Sequence, residues 1–343
     1  MLDNKNYINQ YDTQGALDLA AHSPEQLAHA FDVKVENPGQ IDAVVFSAMG
    51  GSALQAEFAR TWPKLQVPFI VSKDYSLPSF VNERTLVIVA SYSGNTEETL
   101  SALAEAREKG ATIAIMTGGG KLLEQATQHG DTHVVIPKAI QPRMAVFYAF
   151  RGLVELFVGY GLVDKSVLTE LEQLVAPLEA EVAKWVKSVP THDNPAKQLA
   201  EKMVGKTPII YSGSAMSPAA YKWKISVNEN AKNTAWSNTL PEFNHNEFMG
   251  WSSHPVEKPF VVIDLLSSFE HHRVLKRFEV SNRLLSGMRP DSISVAAQGD
   301  NALAHLLYLV IFGDFVTLYM GILNGVDPSP VELVEKFKVE LDK

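Results

Sequence analysis

The chain has 343 residues, of which 46% are hydrophobic and 20% are charged, a balance typical of globular proteins and not of disordered chains. Its formal net charge of −9 argues against a broad surface for nucleic acid or for an anionic membrane, because both are held chiefly by dense lysine and arginine. The absence of cysteine excludes disulfides and thiolate metal sites. Because the net charge is negative, any anionic ligand must be held by a local set of residues.

The length and the N-terminus bear on domain count and location. A chain of 343 residues exceeds one typical domain, which favours two domains. Residues 1–26 lack a basic segment followed by an apolar core, and no apolar run is expected to reach the roughly 20 residues that a membrane span needs. We therefore expect a cytoplasmic protein.

Short apolar runs rich in β-branched residues recur through the first half of the chain, separated by longer segments with helical spacing. Alternation of strand and helix predicts a parallel sheet that is covered by helices on both faces. The predicted strands of this half span residues 42–48, 68–72, 85–91, 111–117 and 132–136.

A second α/β series follows a stretch of long helical patterns at residues 146–190. Residues 43–60 and 207–224 both have the pattern of a strand, a small-residue turn and a helix, which indicates a duplicated unit. Two such lobes would bind a ligand in a cleft at the ends of their sheets. The strands predicted in this half span residues 207–214, 259–266 and 292–299, before a helical tail from about Ala302.

The predicted fold class is α/β, with two lobes that are each a mainly parallel sheet flanked by helices in three layers. The predicted segments are an N-terminal helical segment at 1–40, a first lobe at 41–150, a helical connection at 151–205, a second lobe at 206–320 and a C-terminal helical tail at 321–343.

Three predicted strand ends of the first lobe carry glycine or hydroxyl residues just before a helix. They are Gly50, Gly51 and Ser52; the run from Ser91 to Thr96; and the run 118–120, which is all glycine. The first turn of a helix offers unpaired N–H groups and a positive dipole end, both of which favour an anion. Phosphate is the natural candidate.

The run from Ser91 to Thr96 is the most informative of the three. The hydroxyls of Ser91, Ser93 and Thr96 are spaced so that a strand-to-helix turn can aim them inward, while Gly94 permits the bend. These residues are also ordinary helix caps, and that alternative stays open. The absence of a Walker lysine and of a GxGxxG run favours a phosphate ester over a nucleotide.

The motifs together resemble the sugar isomerase (SIS) domain and, more narrowly, the family of bifunctional phosphoglucose/phosphomannose isomerases. The matching stretches run in order over most of the chain, beyond about the first 40 residues. They are MGGS at 49–52, SYSGNTEETL at 91–100, PKAIQPRMAV at 137–146, NENAKN at 228–233, LPEFNHNEFMGW at 240–251 and NGVDPSPVELVEKFK at 324–338.

The resemblance implies an aldose–ketose isomerase that acts on glucose 6-phosphate and mannose 6-phosphate through a cis-enediol, with no cofactor and no metal. It implies that Glu229 transfers the proton between C1 and C2, a task that suits a carboxylate. His245 is implied to open the sugar ring from the neighbouring subunit, which requires a homodimer. Arg143 is implied to lie beside the enediolate oxygen, and the phosphate is expected at Gly50, Gly51, Ser52, Ser91, Ser93 and Thr96.

Three further residue assignments leave alternatives open. Lys336 matches a family lysine that assists ring opening, with Lys338 as a rival, and Ser329 stands near the sugar C2 where the family more often has threonine. Glu242 and Glu247 are candidates to orient His245.

The competing functions are an isomerase for another sugar phosphate and a non-catalytic sugar-phosphate sensor. The second lobe argues against the first of these, since most such SIS proteins have a single lobe. A sensor would need neither Glu229 nor His245 and would usually carry a DNA-binding segment, which the sequence does not suggest.

Overall fold

The computed structural model describes residues 1–35, 39–253 and 259–341. These residues form two compact units. The first unit spans His22–Ala176, and the second unit comprises Met1–Ala21 together with Pro177–Lys343.

Strands and helices alternate along most of the chain. The strands of the described residues are β1 (Ala43–Ala48), β2 (Phe69–Ser72), β3 (Thr85–Ser91), β4 (Thr112–Thr117), β5 (Thr132–Val135), β6 (Thr207–Gly213), β7 (Trp236–Leu240), β8 (Phe260–Leu266) and β9 (Ile293–Ala296). The helices are α1 (Lys5–Tyr11), α2 (Ala16–Ala21), α3 (Leu54–Ala59), α4 (Glu97–Glu108), α5 (Gly120–His129), α6 (Val146–Gly159), α7 (Ser166–Gln173), α8 (Val175–Val182), α9 (Pro195–Met203), α10 (Ser217–Asn230), α11 (Glu247–Gly250), α12 (His272–Leu284), α13 (Ala302–Leu323) and α14 (Glu332–Leu341).

The sheet of the first unit has the order β2-β1-β3-β4-β5, and all of its pairings are parallel. β3 lies at the centre, and each of its seven residues is buried, as expected of a strand covered on both faces. Ala48 at the end of β1 pairs with Ala90 near the end of β3. The turns that follow these two strands therefore meet at one edge of the sheet.

The sheet of the second unit has the order β7-β6-β8-β9, again with parallel pairings throughout. In both units the first strand lies between the second and the third, so β6 and β8 correspond in position to β1 and β3. The predicted α/β class with two parallel sheets is confirmed. The local strand–turn–helix pattern predicted at both 43–60 and 207–224 is also present.

β7 is an element that the sequence did not predict. Its five residues, WSNTL, are mostly polar, and only Leu240 is buried. The strand forms because it pairs with β6 at the edge of the sheet, where side chains need not be apolar.

α13 corrects the expectation that no apolar run approaches the length of a membrane span. This 22-residue helix is long and apolar enough to cross a membrane, judged by length and composition alone, but 89% of its most apolar window is buried within the fold. A core helix of a soluble protein has the same properties. It packs along α10, where the indole N–H of Trp223 donates to the carbonyl oxygen of Leu309 at 2.7 Å.

The contact between α10 and α13 depends on a glycine. A methyl group on Gly313 would overlap the indole ring of Trp223, which is fully buried. Asp314, the residue after Gly313 in α13, accepts hydrogen bonds from Lys222 and from Ser226 of α10, the latter at 3.0 Å. The close approach at Gly313 therefore sets the spacing of the whole helix pair.

We predict that Gly313→Ala destabilises the protein by about 1–3 kcal/mol, because the added methyl forces α10 and α13 apart. Urea unfolding of the variant would measure this difference. Gly250→Ala is the matched control, since Gly250 is also helical and nothing lies within 4 Å of a methyl there. Equal free energies of unfolding for the two variants would contradict the prediction.

Candidate active site

Three hydroxyl groups meet in the turn between β3 and α4. Ser91 is buried at the end of β3, and its Oγ lies 2.7 Å from Oγ1 of Thr96 and 3.3 Å from Oγ of Ser93. The amide of Gly94 donates to the same Ser91 oxygen at 3.2 Å. The tight turn thus folds the three side chains onto one another at the carboxyl edge of the sheet.

Thr96 does not act as a side-chain cap of α4. It occupies the N-cap position, yet its side chain makes no capping hydrogen bond, because its hydroxyl contacts Ser91 instead. The first-turn amides of α4 have no partner within the helix. Hydroxyls and helix-start amides therefore lie together, and this arrangement favours an anion site over the simple cap.

The turn after β1 joins this hydroxyl cluster through Ser52. Its Oγ accepts a hydrogen bond from the amide of Tyr92 at 3.1 Å. Gly50 has a φ of +51°, and a methyl on the next residue, Gly51, would lie 3.2 Å from the amide nitrogen of Arg143. The two strand-end turns and the segment that carries Arg143 are thus packed side by side.

Arg143 lies in a short 3₁₀ turn, Pro142–Met144, and is 2% exposed. The segment before it is held by Tyr92, whose hydroxyl donates to the carbonyl of Ala139 at 3.1 Å. This role of Tyr92 is not evident from the sequence pattern, although the residue stands inside the hydroxyl-rich run. Arginine is seldom buried this deeply, so the burial of Arg143 in a segment packed against the turn after β1 makes it a candidate functional residue.

Gln55 is a second residue that the sequence analysis missed. Its side chain is 2% exposed and lines a small cavity with Ser52 and Ser91. Its Oε1 has no hydrogen-bond partner among the described residues. It lies one helical turn after Gly51, a spacing that could have indicated a residue on the same face.

The all-glycine run at 118–120 and the start of α5 pack against the turn that carries the hydroxyl cluster. Gly94 has a φ of +70°, and a methyl on it would overlap the carbonyl oxygen of Gly119. At the start of α5, the amide of Lys121 donates to Oδ1 of Asn95 at 3.1 Å, and that of Leu122 donates to the carbonyl of Gly94 at 3.0 Å. Because these amides are used within the protein, the run has a supporting role and not that of a third anion site.

In the second unit, Glu229 lies in the last turn of α10 and is half-buried. Lys232, a non-glycine residue with a φ of +54°, follows it and bridges two carbonyls with its ammonium group. Its Nζ donates to the carbonyl of Glu229 at 2.7 Å and to that of Pro328 at 3.2 Å. Such left-handed backbone is uncommon outside glycine and often marks a functional site.

The segment that carries Ser329 is packed on the same helix end. The Nδ2 of Asn324 donates to the carbonyl of Ala231 at 3.0 Å, and the amide of Ser329 donates to Asp327 at 2.8 Å. Ser329 is fully buried. The structure therefore brings two sequence-predicted residues, Glu229 and Ser329, to one place in the fold.

His245 ends the 3₁₀ turn Glu242–His245 and is exposed. Glu247 is tied to the core, since its carboxylate accepts from the Tyr211 hydroxyl and, at 2.6 Å, from Nδ2 of Asn238. The pKa of Tyr211 is raised, chiefly because the hydroxyl is buried and secondly because it contacts the carboxylate of Glu247. Within the described residues neither Glu242 nor Glu247 hydrogen bonds to His245, so the idea that one of them orients the imidazole is not supported.

The two candidate lysines lie on α14, whose described side chains are all exposed or nearly so. Lys338 pairs with Glu335 at 2.8 Å, also in solvent. Lys336 projects from the same exposed helix.

Comparison with known proteins connects these features to a family. The sequence model of the SIS domain matches residues 40–152, and that of the bacterial phospho-glucose isomerase C-terminal SIS domain matches residues 192–341. A bifunctional phosphoglucose/phosphomannose isomerase of Caldicellulosiruptor bescii is 37% identical over 330 residues, which cover 93% of this chain and 96% of that protein. A protein of the same name from Aquifex aeolicus is 36% identical over 304 residues, covering 88% and 90%.

A solved structure supports the fold. The C-terminal domain of glucosamine-fructose-6-phosphate aminotransferase from Francisella tularensis is similar with a TM-score of 0.72 at 15% identity, covering 92% of this chain and 98% of that one.

We predict that Gly94→Ala disrupts the hydroxyl cluster, because the methyl would be driven into Gly119 in addition to the strain of a positive φ. The left-handed strain alone accounts for about 1–2 kcal/mol of destabilisation. The overlap adds to that, and we expect the affinity for inorganic phosphate to fall at least tenfold in isothermal titration.

Gly130→Ala is the matched control for this prediction. Gly130 has the same φ of +70°, but nothing lies within 4 Å of a methyl there. In urea unfolding, the free energy of unfolding of this variant should fall only by the contribution of the backbone strain. Its affinity for phosphate should equal that of the unmodified protein. Equal phosphate affinity of the two variants would contradict the assignment.

Proposed function

The chain belongs to the bifunctional phosphoglucose/phosphomannose isomerase family, and we propose that it interconverts glucose 6-phosphate and mannose 6-phosphate with fructose 6-phosphate. It is an aldose–ketose isomerase. The observation that carries the assignment of its substrate site is the meeting of the Ser91, Ser93 and Thr96 hydroxyls at the start of α4, with Ser52 bonded to the amide of Tyr92 in the same turn.

The phosphate of the substrate is the part that this hydroxyl cluster would hold. Hydroxyl groups rotate freely, so those of Ser91, Ser93 and Thr96, now directed at one another, can turn to donate to phosphate oxygens. The amides at the start of α4 and the backbone of Gly50 and Gly51 add donors without side chains in the way. This anchor leaves the sugar carbons to be positioned elsewhere.

Glu229 is the proposed base. Loss of the C2 proton from glucose 6-phosphate or mannose 6-phosphate gives the same enediolate, and return of the proton to C1 gives fructose 6-phosphate. A carboxylate can carry that proton if its geometry is fixed. The hydrogen bonds of Lys232 to the carbonyls of Glu229 and Pro328 support such fixing, and they also hold the segment of Ser329, which we place near C2.

Arg143 is the proposed stabiliser of the enediolate. Negative charge develops on the oxygens of C1 and C2 as the proton leaves, and a guanidinium in a water-poor setting stabilises it strongly. The burial of Arg143 and the packing of its backbone against Gly51 support this role. In this proposal the reaction requires no metal ion.

Ring opening is assigned to His245, acting from the neighbouring subunit of a homodimer, with help from Lys336 or its rival Lys338. The exposure of His245 supports this, because an imidazole on the surface of one chain can complete the site of another. We place the enzyme in the cytoplasm, as a metabolic protein.

We predict that Glu229→Gln lowers kcat by about 10²–10⁴-fold with all three hexose phosphates, because the amide cannot accept the proton. A coupled assay with glucose 6-phosphate, mannose 6-phosphate and fructose 6-phosphate side by side measures this and tests the dual specificity. Binding of inorganic phosphate should be unchanged.

Glu201→Gln serves as the control, since Glu201 is an exposed carboxylate on α9 of the same unit. It should keep full activity. Unchanged turnover of Glu229→Gln would exclude Glu229 as the base, and activity toward only one aldose in the unmodified protein would exclude the dual specificity.

Subunit mixing tests the shared site. Neither Glu229→Gln nor His245→Ala should be active alone. If each site combines Glu229 of one chain with His245 of the other, then in a mixed dimer one of the two sites has both native residues. Co-refolded equal mixtures should therefore recover about a quarter of native activity. No recovery, with mixed dimers confirmed by mass spectrometry, would place both residues of a site in one chain.

A further inference from the structure

The second unit has a turn that corresponds in position to the proposed phosphate turn. Five residues, 92–96, connect β3 to α4 in the first unit, and five residues, 267–271, connect β8 to α12 in the second. β3 and β8 occupy the same place in their sheets, next to β1 and β6 respectively. The turn at 267–271 therefore lies where an anion site is expected in the second unit.

The fourth residue of this turn is Glu270, and its carboxylate lies at that edge of the sheet, on the start of α10, the helix that corresponds to α3. Glu270 is 8% exposed, and its Oε1 accepts a hydrogen bond from the amide of Met216 at 3.0 Å. Met216 is the N-cap of α10, and it makes no side-chain cap. A methyl on Gly213, the last residue of β6, would overlap the Glu270 carboxyl group. The carboxylate is thus seated over the end of β6, at the positive end of α10.

The surroundings of Glu270 combine burial with backbone amide donors. Burial raises its pKa, and hydrogen bonds from the amides of Met216 and Ala215 offset part of that rise. Backbone amides at a helix start are the donors that bind phosphate in many proteins. A carboxylate placed among them satisfies the same donors from within the chain.

The turn is anchored so that Glu270 stays in place. His305 of α13 donates from Nε2 to the carbonyl of Gly299 at 3.0 Å, so its Nδ1 accepts from the hydroxyl of Ser267 at 2.8 Å. The amide of Phe269 donates to the same Ser267 oxygen at 3.1 Å, and its ring packs edge-on against His305. Burial lowers the pKa of His305, which keeps the imidazole neutral. These contacts hold Ser267 and Phe269, which precede Glu270 in the turn.

We propose that Glu270 is an internal anion that occupies, in the second unit, the sheet edge corresponding to the one where the phosphate binds in the first, and so limits each chain to one phosphate site. The comparison with the first unit rests on the proposed function. The seating of a carboxylate on the start of α10 rests only on the second unit.

The test of this proposal removes the Glu270 carboxylate by substitution and adds formate, a small carboxylate, to the solution. Glu270→Ala leaves the amides of Ala215 and Met216 without their acceptor, so its melting temperature should fall in chloride. Formate at equal ionic strength should restore several degrees of that loss, because it fits the vacated place. The unmodified protein and Glu279→Ala, which removes an exposed carboxylate of α12, should show no rise that is specific to formate.

Other variants keep this test decisive. Glu270→Gln retains the volume of the side chain, so it should not respond to formate. If Glu270→Ala does not fold in chloride, refolding from urea in formate replaces the melting measurement, and recovery in formate alone supports the proposal. A response to formate no larger than that to chloride, or no recovery in either salt, overturns it.

Phosphate stoichiometry separates this proposal from the proposed function. Titration with inorganic phosphate should find one site in the unmodified protein and two in Glu270→Ala. The added site should persist when Ser91→Ala and Thr96→Val are introduced as well. No binding by the unmodified protein would count against the first-unit site alone, whereas no added site in Glu270→Ala would count against the role of Glu270.

Discussion

The parallel arrangement of each sheet is the constraint on which the rest of this protein depends. Parallel strands end at the same edge, and in each unit the first and third strands are neighbours there. The turns that follow them are therefore forced together, and each leads into the positive end of a helix. An edge of this kind attracts negative charge, and the two units place different groups there.

The first unit leaves its edge lined with hydroxyls, and the second fills it with a carboxylate. Ser91 and Thr96 offer oxygens that can turn toward a ligand, and the close contact between Gly94 and Gly119 keeps the turn compact. In the second unit Glu270 already receives the amide of Met216. One duplicated architecture thus has an edge open to an outside anion and an edge closed by its own, which frees the second unit to contribute other chemistry.

That other chemistry is concentrated at the opposite end of α10. The helix begins beside the carboxylate of Glu270 and carries Glu229 in its last turn, and Trp223 packs it against α13. Lys232 then holds the helix end to the segment of Ser329. The proposed base, Glu229, would gain from a rigid support, and both ends of its helix are tied.

The sequence by itself determined the α/β class, most strands and the identity of the family, because buried parallel strands are continuous apolar runs and because the motifs stand in order along the chain. β7 could not be predicted from the sequence, because an edge strand is held by pairing and not by apolar side chains. Only the tertiary structure decided that the Thr96 hydroxyl serves Ser91 and not the helix cap, that the apolar helix α13 is a core helix, and that Glu270 lies on the start of α10. Each of these depends on contacts that form only in the folded chain. A local sequence pattern does not determine which distant backbone amide a side chain will contact.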